Sequence, residues 1–569
     1  MATQKLTKSY IHVPKKEPFI GLTVGQQLYK MAEKYPDKEM FVFYVDNERF
    51  TFKQMKAKSQ TFAASLVSKG LKKGDTIAIL GANHSEWIVA LYASIQLGIL
   101  LVPLRMEFPH STIVAIMNKL QCKAIILTRS PDELLDRACE YFPEMKSSPA
   151  EQLKSDCCPH LQFLVLCSKS AKKLCSKTGV YSYDDFMTLG NETDFSKVEE
   201  ICQSLDIDDP CCIYFTSGST GMPKPAVHSH HSILNNAMTG AFFRMGVDNF
   251  NCNWESLRYM VGVTLSGIGT VWGTYLPIAR GCTTIVLYPA FNAGIMAEAL
   301  QNERVSIGTV LIHQAYDLLN LPNIDSYDFS NLKLMGMGGS IIPNELRQKM
   351  KKLVQYTTNC YGMTEILMTH MGDPVDPPDK LAGAATYTID GLETKIVDDN
   401  GIIVPVETVG EILVRGYSAF KYYLADDLQT KEIKDINGWI HTGDLGVMDE
   451  AGYLTMKGRK KDIILKEGVN LIPVELEAVL HEHPKVLAAM VIGLPDERVG
   501  EEICACIRVD RDNSPTEEDI REFCRGKVYA LLVPKYVIFF DEFPTTPNGK
   551  YSRIEATRIA KKAFNIIAY

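Results

Sequence analysis

Residues 214–224 read Tyr214-Phe215-Thr216-Ser217-Gly218-Ser219-Thr220-Gly221-Met222-Pro223-Lys224, an apolar run that passes into a loop of hydroxyls and glycines and ends in lysine. Phosphate binding calls for this chemistry. Glycines let successive backbone N–H groups converge on an anion, hydroxyls supply more donors, and lysine adds a point charge. The spacing is G-x-x-G-x-x-K with no Ser or Thr after Lys224, so it differs from a Walker loop. A plain flexible turn is the bland alternative, and the length and composition of the whole string argue against it.

Further strings follow in order: Gly336-Met337-Gly338-Gly339-Ser340, Tyr361-Gly362-Met363-Thr364-Glu365, Thr442-Gly443-Asp444, residues 459–462, and Pro547-Asn548-Gly549-Lys550. Taken singly, Asp444 reads as a turn residue, Lys550 as a hairpin lysine and Tyr361 as core. Together the strings resemble the signature motifs of the adenylate-forming superfamily, which includes acyl-CoA synthetases, adenylation domains and beetle luciferases, and they span nearly the whole chain. The run Ser9-Tyr10-Ile11-His12, followed by Leu22-Thr23-Val24-Gly25-Gln26, is similar to the opening of animal medium-chain acyl-CoA synthetases of the family-member-2 type.

The resemblance implies a role for each matched position. Thr216, Ser217, Gly218, Ser219, Thr220 and Gly221 cradle the triphosphate of ATP together with Lys224. Gly338, Gly339 and Ser340 flank adenine and the acyl carbonyl. Tyr361, followed by Gly362, offers a flat face to adenine, Thr364 bonds the α-phosphate, and Glu365 offers a carboxylate to Mg²⁺, which prefers oxygen ligands. Asp444 accepts from the ribose hydroxyls with Arg459 beside it. Lys550 neutralises charge that develops as a carboxylate attacks the α-phosphate. Lys461 is the hinge position about which a terminal domain rotates between two half-reactions.

Two positions depart from the superfamily pattern. Ser266, followed by Gly267, stands where relatives carry a histidine or aromatic residue that gates the acyl and thiol pockets. Glu467 in Lys466-Glu467-Gly468-Val469-Asn470 replaces a glycine near the expected path of pantetheine. With no acid in 260–266, and with Ile341, Met363 and Leu367 beside the catalytic strings, the pocket around Ser266, Gly267, Ile341 and Met363 suits a fatty or aryl carboxylate. The expected activity is formation of a medium-chain acyl-AMP and its transfer to CoA as co-substrate. An aryl-acid CoA ligase, a luciferase-like adenylating monooxygenase and a non-catalytic nucleotide binder are the alternatives.

These strings need a scaffold to bring them together. At 569 residues, two or more domains are expected. Met55, Phe62 and Leu66 recur at helical spacing before Gly70, residues 76–80 form an apolar strand, Ser85 is placed to cap a helix to about Gly98, and 99–102 is strand-like. Such alternation implies α/β architecture with parallel strands. The expected organisation is a large multi-subdomain adenylation domain over 1–457, a charged hinge at 458–463, and a small mobile α+β domain over 464–569, with 474–480 helical and 488–492 strand-like.

The composition, 46% hydrophobic and 22% charged, is that of a soluble globular protein, and the net charge of −8 argues against a nucleic-acid partner. The uncharged stretch 259–279 is long enough to span a bilayer, but Gly262, Gly267, Gly269, Gly273 and Pro277 fit a packed element instead. Fifteen cysteines diluted over this length point to a reducing compartment, the polar start lacks the apolar run of a secretory signal, and Ile567-Ala568-Tyr569 is not the peroxisomal tripeptide, so the expected location is intracellular, cytoplasmic or mitochondrial. His228-Ser229-His230-His231 reads as a helix start capped by Ser229 rather than a metal site.

Overall fold

The computed structural model describes residues 5–106, 108–128, 141–142, 153, 155–167, 180–216, 222–240, 253–267, 269, 271–287, 291–338, 342, 344–373, 376–377, 379–380, 385–509, 514–545 and 551–566. Ser217, Gly218, Ser219, Thr220, Gly221, Gly339, Ser340, Ile341 and Lys550 lie outside this set.

Alternation of helix and strand builds a five-stranded parallel sheet first. Thr51 opens the helix Phe52–Ser68 with a capping box: its hydroxyl accepts from the N–H of Gln54 and its own N–H donates to the Gln54 amide oxygen. Met55, Phe62 and Leu66 form the buried stripe of that helix, and Gly70 turns the chain with φ +80°. The strand Thr76–Leu80 then pairs in parallel with Leu100–Leu104 across the helix Ser85–Gln96. Ser85 does not cap this helix. His84 holds the N-cap position without a side-chain capping bond, its ring meeting Asp46 at 2.7 Å instead, and the Ser85 hydroxyl donates to Glu48 from inside the first turn.

The larger sheet has fourteen strands among the described residues. In one part Glu39–Phe43, Thr283–Val286, Arg258–Val261, Ile307–Leu311, Leu334–Gly338 and the start of Tyr356–Met363 run parallel. The sheet changes character within Tyr356–Met363. Residues Tyr356 to Asn359 pair in parallel with Leu334–Gly338, whereas Cys360 to Met363 pair antiparallel with Leu367–Met371. Antiparallel pairing then continues through Thr386–Thr388, Tyr453–Arg459, Ile440–Met448, Gly410–Gly416, Leu392–Val397 and Tyr10–Val13. Tyr361 and Glu365 therefore stand where parallel strands end and the topology switches, the place where α/β sheets bind ligands.

The described part of 259–279 contains the strand Arg258–Val261 and the helix Val271–Arg280. A Cβ at Gly273 would come within 2.0 Å of Val261, so close packing of helix on strand explains that glycine. No described helix is long and apolar enough to cross a membrane.

Beyond residue 463 the chain forms a separate small sheet with the order Val469–Leu471, Ile464–Lys466, Gly500–Val509, Val486–Asp496, and Tyr536–Phe540 joins beside Gly500–Val509. Its two faces carry different cores. Leu476, Leu480 and Ile520 from the helices Pro473–His481 and Glu517–Cys524 pack with Val491 and Ala505, and Ala556 and Ala560 from Arg553–Ala563 pack with Met490 and Cys504. The expected linker is more ordered than its charge suggests. Gly458 and Arg459 complete the strand Tyr453–Arg459, opposite Leu445 and Asp444, and only Lys460–Asp462 form a single 3₁₀ turn before the next strand.

The hairpin between Ile464–Lys466 and Val469–Leu471 turns on Glu467 at φ +53° and Gly468 at φ +76°. Two central residues with positive φ are the mark of a type I′ turn, which favours glycine. A non-glycine residue there costs about 1 kcal/mol. Glu467→Gly is therefore expected to stabilise the small unit by about 1 kcal/mol in chemical denaturation; an unchanged or lower midpoint would show that the Glu467 side chain contributes contacts that offset the strain.

Candidate active site

The strands Pro210–Phe215 and Pro225–Ser229 pair antiparallel and close the base of the hydroxyl- and glycine-rich loop. Thr216 N–H donates to the Lys224 carbonyl at 3.0 Å, and Lys224 N–H donates to the Thr216 hydroxyl at 3.4 Å. Lys224 Nζ then donates to the side-chain oxygen of Gln429 and stands 5.5 Å above the ring of Tyr423. The Tyr423 hydroxyl donates to Glu365. Lys224 and Glu365, far apart in sequence, are thus joined through one aromatic ring.

Glu365 is 5% exposed, and burial pushes its carboxyl above the usual range, opposed by the Tyr423 hydrogen bond and by the charges of Arg459 and Lys224. Its backbone is pinned too: Phe420 N–H donates to the Glu365 carbonyl at 2.7 Å, and His228 Nε2–H donates to the Thr364 carbonyl at 2.7 Å. Burial lowers His228 to about 4, so it is neutral and its tautomer follows from that bond. Ser229 caps the next helix as expected, accepting from Ser232 N–H at 3.1 Å.

Tyr361 is aimed by a register shift between itself and Gly362. A Cβ on Gly362 would lie 2.0 Å from the Leu367 carbonyl oxygen, so only glycine permits this approach. Tyr361 donates to one Asp444 oxygen at 3.0 Å, while Arg459 Nε meets the other at 3.2 Å. Asp444 is buried, and its N–H donates to Thr442 Oγ1 at 3.1 Å. Behind the Tyr361 ring, 5.4 Å away, His370 sits between the hydroxyls of Thr369 and Thr394, held neutral by burial at about 3. Lys461 follows Arg459 on the 3₁₀ turn: burial lowers its pKa, with the charge of Arg459 acting in the same direction and those of Asp462 and Asp444 opposing.

Lys224, Thr364, Glu365, Tyr361, Asp444, Arg459 and Lys461 are therefore linked in one region, with Gly338 at the end of the adjoining strand Leu334–Gly338. Ser266 and Gly267 lie on a separate turn, where Gly267 N–H donates to the Thr264 carbonyl at 3.2 Å and Asn83 accepts from Leu265 N–H at 2.8 Å. Met363 packs on the core that contains Phe420 and Tyr423, and Leu265, next to Ser266, belongs to another core. Tyr423 and Gln429 were not legible in the sequence, because neither belongs to a glycine- or hydroxyl-rich string.

Residues 28–424 match the pattern of a family described as AMP-binding enzyme. The chain belongs to that family. Residues 475–550 match the AMP-binding enzyme C-terminal domain, in the small unit. The chain is 32% identical over 559 residues to the medium-chain acyl-CoA ligase ACSF2, mitochondrial, of Danio rerio, covering 96% of this chain and 90% of that one. The ligase of the same name from Homo sapiens is 31% identical over 579 residues, covering 98% and 91%. These relatives place this AMP-binding enzyme in the acyl-CoA ligase family. Its fold is that of the anthranilate CoA ligase AuaEII, solved in complex with anthranoyl-AMP, with a TM-score of 0.80 at 21% identity over 96% of this chain and 99% of that one.

Proposed function

We propose that this AMP-binding enzyme is an ATP-dependent acid–thiol ligase that turns a medium-chain fatty carboxylate into acyl-AMP and then acyl-CoA. The observation that carries this reading is the joining of Lys224 to Glu365 through Tyr423, beside Tyr361, Asp444 and Arg459 at the same strand end. The medium-chain assignment draws on the names of the relatives and on the apolar residues that adjoin the site. The mitochondrial designation of both relatives supports a site of action inside the cell.

In the first step a carboxylate oxygen attacks the α-phosphorus and the bond to pyrophosphate breaks. In the second, the CoA thiol attacks the acyl carbonyl, loses its proton, and AMP leaves. No protein nucleophile is needed. The chain's residues bind and orient: Tyr361 lies against adenine, Asp444 and Arg459 hold the ribose, Thr364 the α-phosphate and Lys224 the outer phosphates. Lys550, carried on the small unit, balances charge as pyrophosphate leaves. Residues 458–463 act as hinge between units 1–457 and 464–569, with Lys461 at the pivot.

Glu365 fits an Mg²⁺ ligand. It is a buried carboxylate whose ionised form is disfavoured until a cation arrives, and among the described residues no group of three or more His, Cys, Asp or Glu could hold a metal alone. A single carboxylate suits Mg²⁺, which keeps water and substrate phosphates in its shell. When bound, Mg²⁺ would neutralise charge on the phosphates.

The test is release of AMP and pyrophosphate over fatty acids of graded chain length and aryl acids, with and without CoA, and mass-spectrometric detection of products. Acyl-AMP is expected to accumulate without CoA and to become acyl-CoA on its addition, with medium-chain acids turned over fastest. AMP release that ignores the carboxylate, or that requires O₂ and not CoA, would overturn the reading.

A further inference from the structure

The segment from Phe420 to Thr430 connects the two halves of the phosphate-handling site. It touches the strand after Lys224 on one side: Lys421 N–H donates to Val227 O at 2.8 Å and Leu424 N–H to Pro225 O at 2.9 Å, and Tyr423 stands opposite Ala226 in the ladder. It touches the strand end that carries Glu365 on the other, through Phe420 N–H on the Glu365 carbonyl. Within it, Tyr423 is 2% exposed and packed edge-on to Phe420 at 4.9 Å, and its N–H donates to Thr430 Oγ1 at 2.9 Å. These bonds fix the backbone that carries the ring, and Phe420 packs against the ring itself. Its hydroxyl reaches Glu365 and its face receives Lys224 Nζ, whose other partner, Gln429, belongs to the same segment and is itself oriented by Glu432 at 2.7 Å.

We propose that Tyr423 is a positioning residue that sets the separation of the phosphate-binding cation Lys224 from the metal-binding carboxylate Glu365. This inference rests on the functional reading above. The phenol does two separable things. The ring face holds the ammonium by cation–π attraction, and the hydroxyl donates to one carboxylate oxygen, which leaves the second as the candidate metal ligand. Phenylalanine keeps the first and removes the second; leucine removes both.

Isothermal titration of ATP into the full-length protein, with and without Mg²⁺, separates these roles. Wild-type protein must bind ATP and release pyrophosphate in a carboxylate-dependent manner; if it does neither, the functional reading fails before Tyr423 is tested. Given that, Tyr423→Phe is expected to keep metal-free ATP affinity within about twofold while the Mg²⁺ concentration for half-maximal tightening rises about tenfold. Tyr423→Leu is expected also to weaken metal-free binding about two- to fivefold. A Tyr423→Phe protein with the wild-type Mg²⁺ response, or one that loses metal-free affinity as far as the leucine variant, overturns the proposal. Should Tyr423→Leu fail to fold, the Mg²⁺ titration of the phenylalanine variant decides alone.

Discussion

Glu365→Gln is expected to slow carboxylate-dependent pyrophosphate release by about 10²–10³-fold while leaving the ligand-free protein at least as stable as wild type. The two effects have one cause. Burial holds the Glu365 carboxyl above its ordinary range. An acid with a raised folded-state pKa contributes stability that is present below its unfolded value and lost as pH rises through the folded value. At pH above the ordinary carboxylate range, burial of this group therefore costs stability in the ligand-free protein, a cost that the proposed cation would offset. Glutamine retains an oxygen to accept from Tyr423 and removes the charge. The variant's melting temperature relative to wild type is expected to rise as pH increases above the ordinary carboxylate range. A variant that melts lower at about pH 8 would show that Glu365 serves as a structural partner.

Lys550→Ala is expected to reduce adenylate formation by about 10²–10³-fold and to leave the conversion of supplied acyl-AMP to acyl-CoA within a few-fold of wild type. The separation follows from the proposed rotation of the small unit between the two half-reactions. Thr545 and Tyr551 pair across residues 546–550, and Arg553, just beyond, meets Asp462 of the hinge turn at 3.4 Å and Glu477 of the small unit at 2.6 Å. Arg553, which follows this segment in sequence, is thus tied to the Lys460–Asp462 turn, the proposed pivot. On the proposed mechanism the lysine acts in the half-reaction where pyrophosphate leaves and not in the one where the thiol attacks. Rapid-quench measurement of both half-reactions on the variant decides this; equal loss in both would assign Lys550 a role in folding or in CoA binding.

Much of this arrangement is written locally in the chain. The loop ending in Lys224, the Gly362 bulge that aims Tyr361, and Gly443 beside Asp444 each impose a composition on a few adjacent residues, so they stand out on inspection. The same holds for the helix Phe52–Ser68, whose capping box and buried stripe are both local. Other features depend on residues far apart. Nothing near Tyr423 announces its bond to Glu365, because the pairing exists only once Pro225–Ser229 and Tyr422–Tyr423 share a sheet. The helix start at Ser85 was misread because Glu48 competes for its hydroxyl. The charged run 458–462 reads as a loose linker, yet Gly458 and Arg459 pair with Leu445 and Asp444, a constraint set by a strand that begins many residues earlier.

The joint use of Lys224, Glu365 and Asp444 in one nucleotide site is tested most directly by carboxylate-dependent exchange of labelled pyrophosphate into ATP, measured on Lys224→Ala, Glu365→Gln and Asp444→Ala. Each folded variant is expected to lose at least about tenfold in exchange rate, since each removes a charged partner of the same ligand. Wild-type exchange in any one of them would place that residue outside the site.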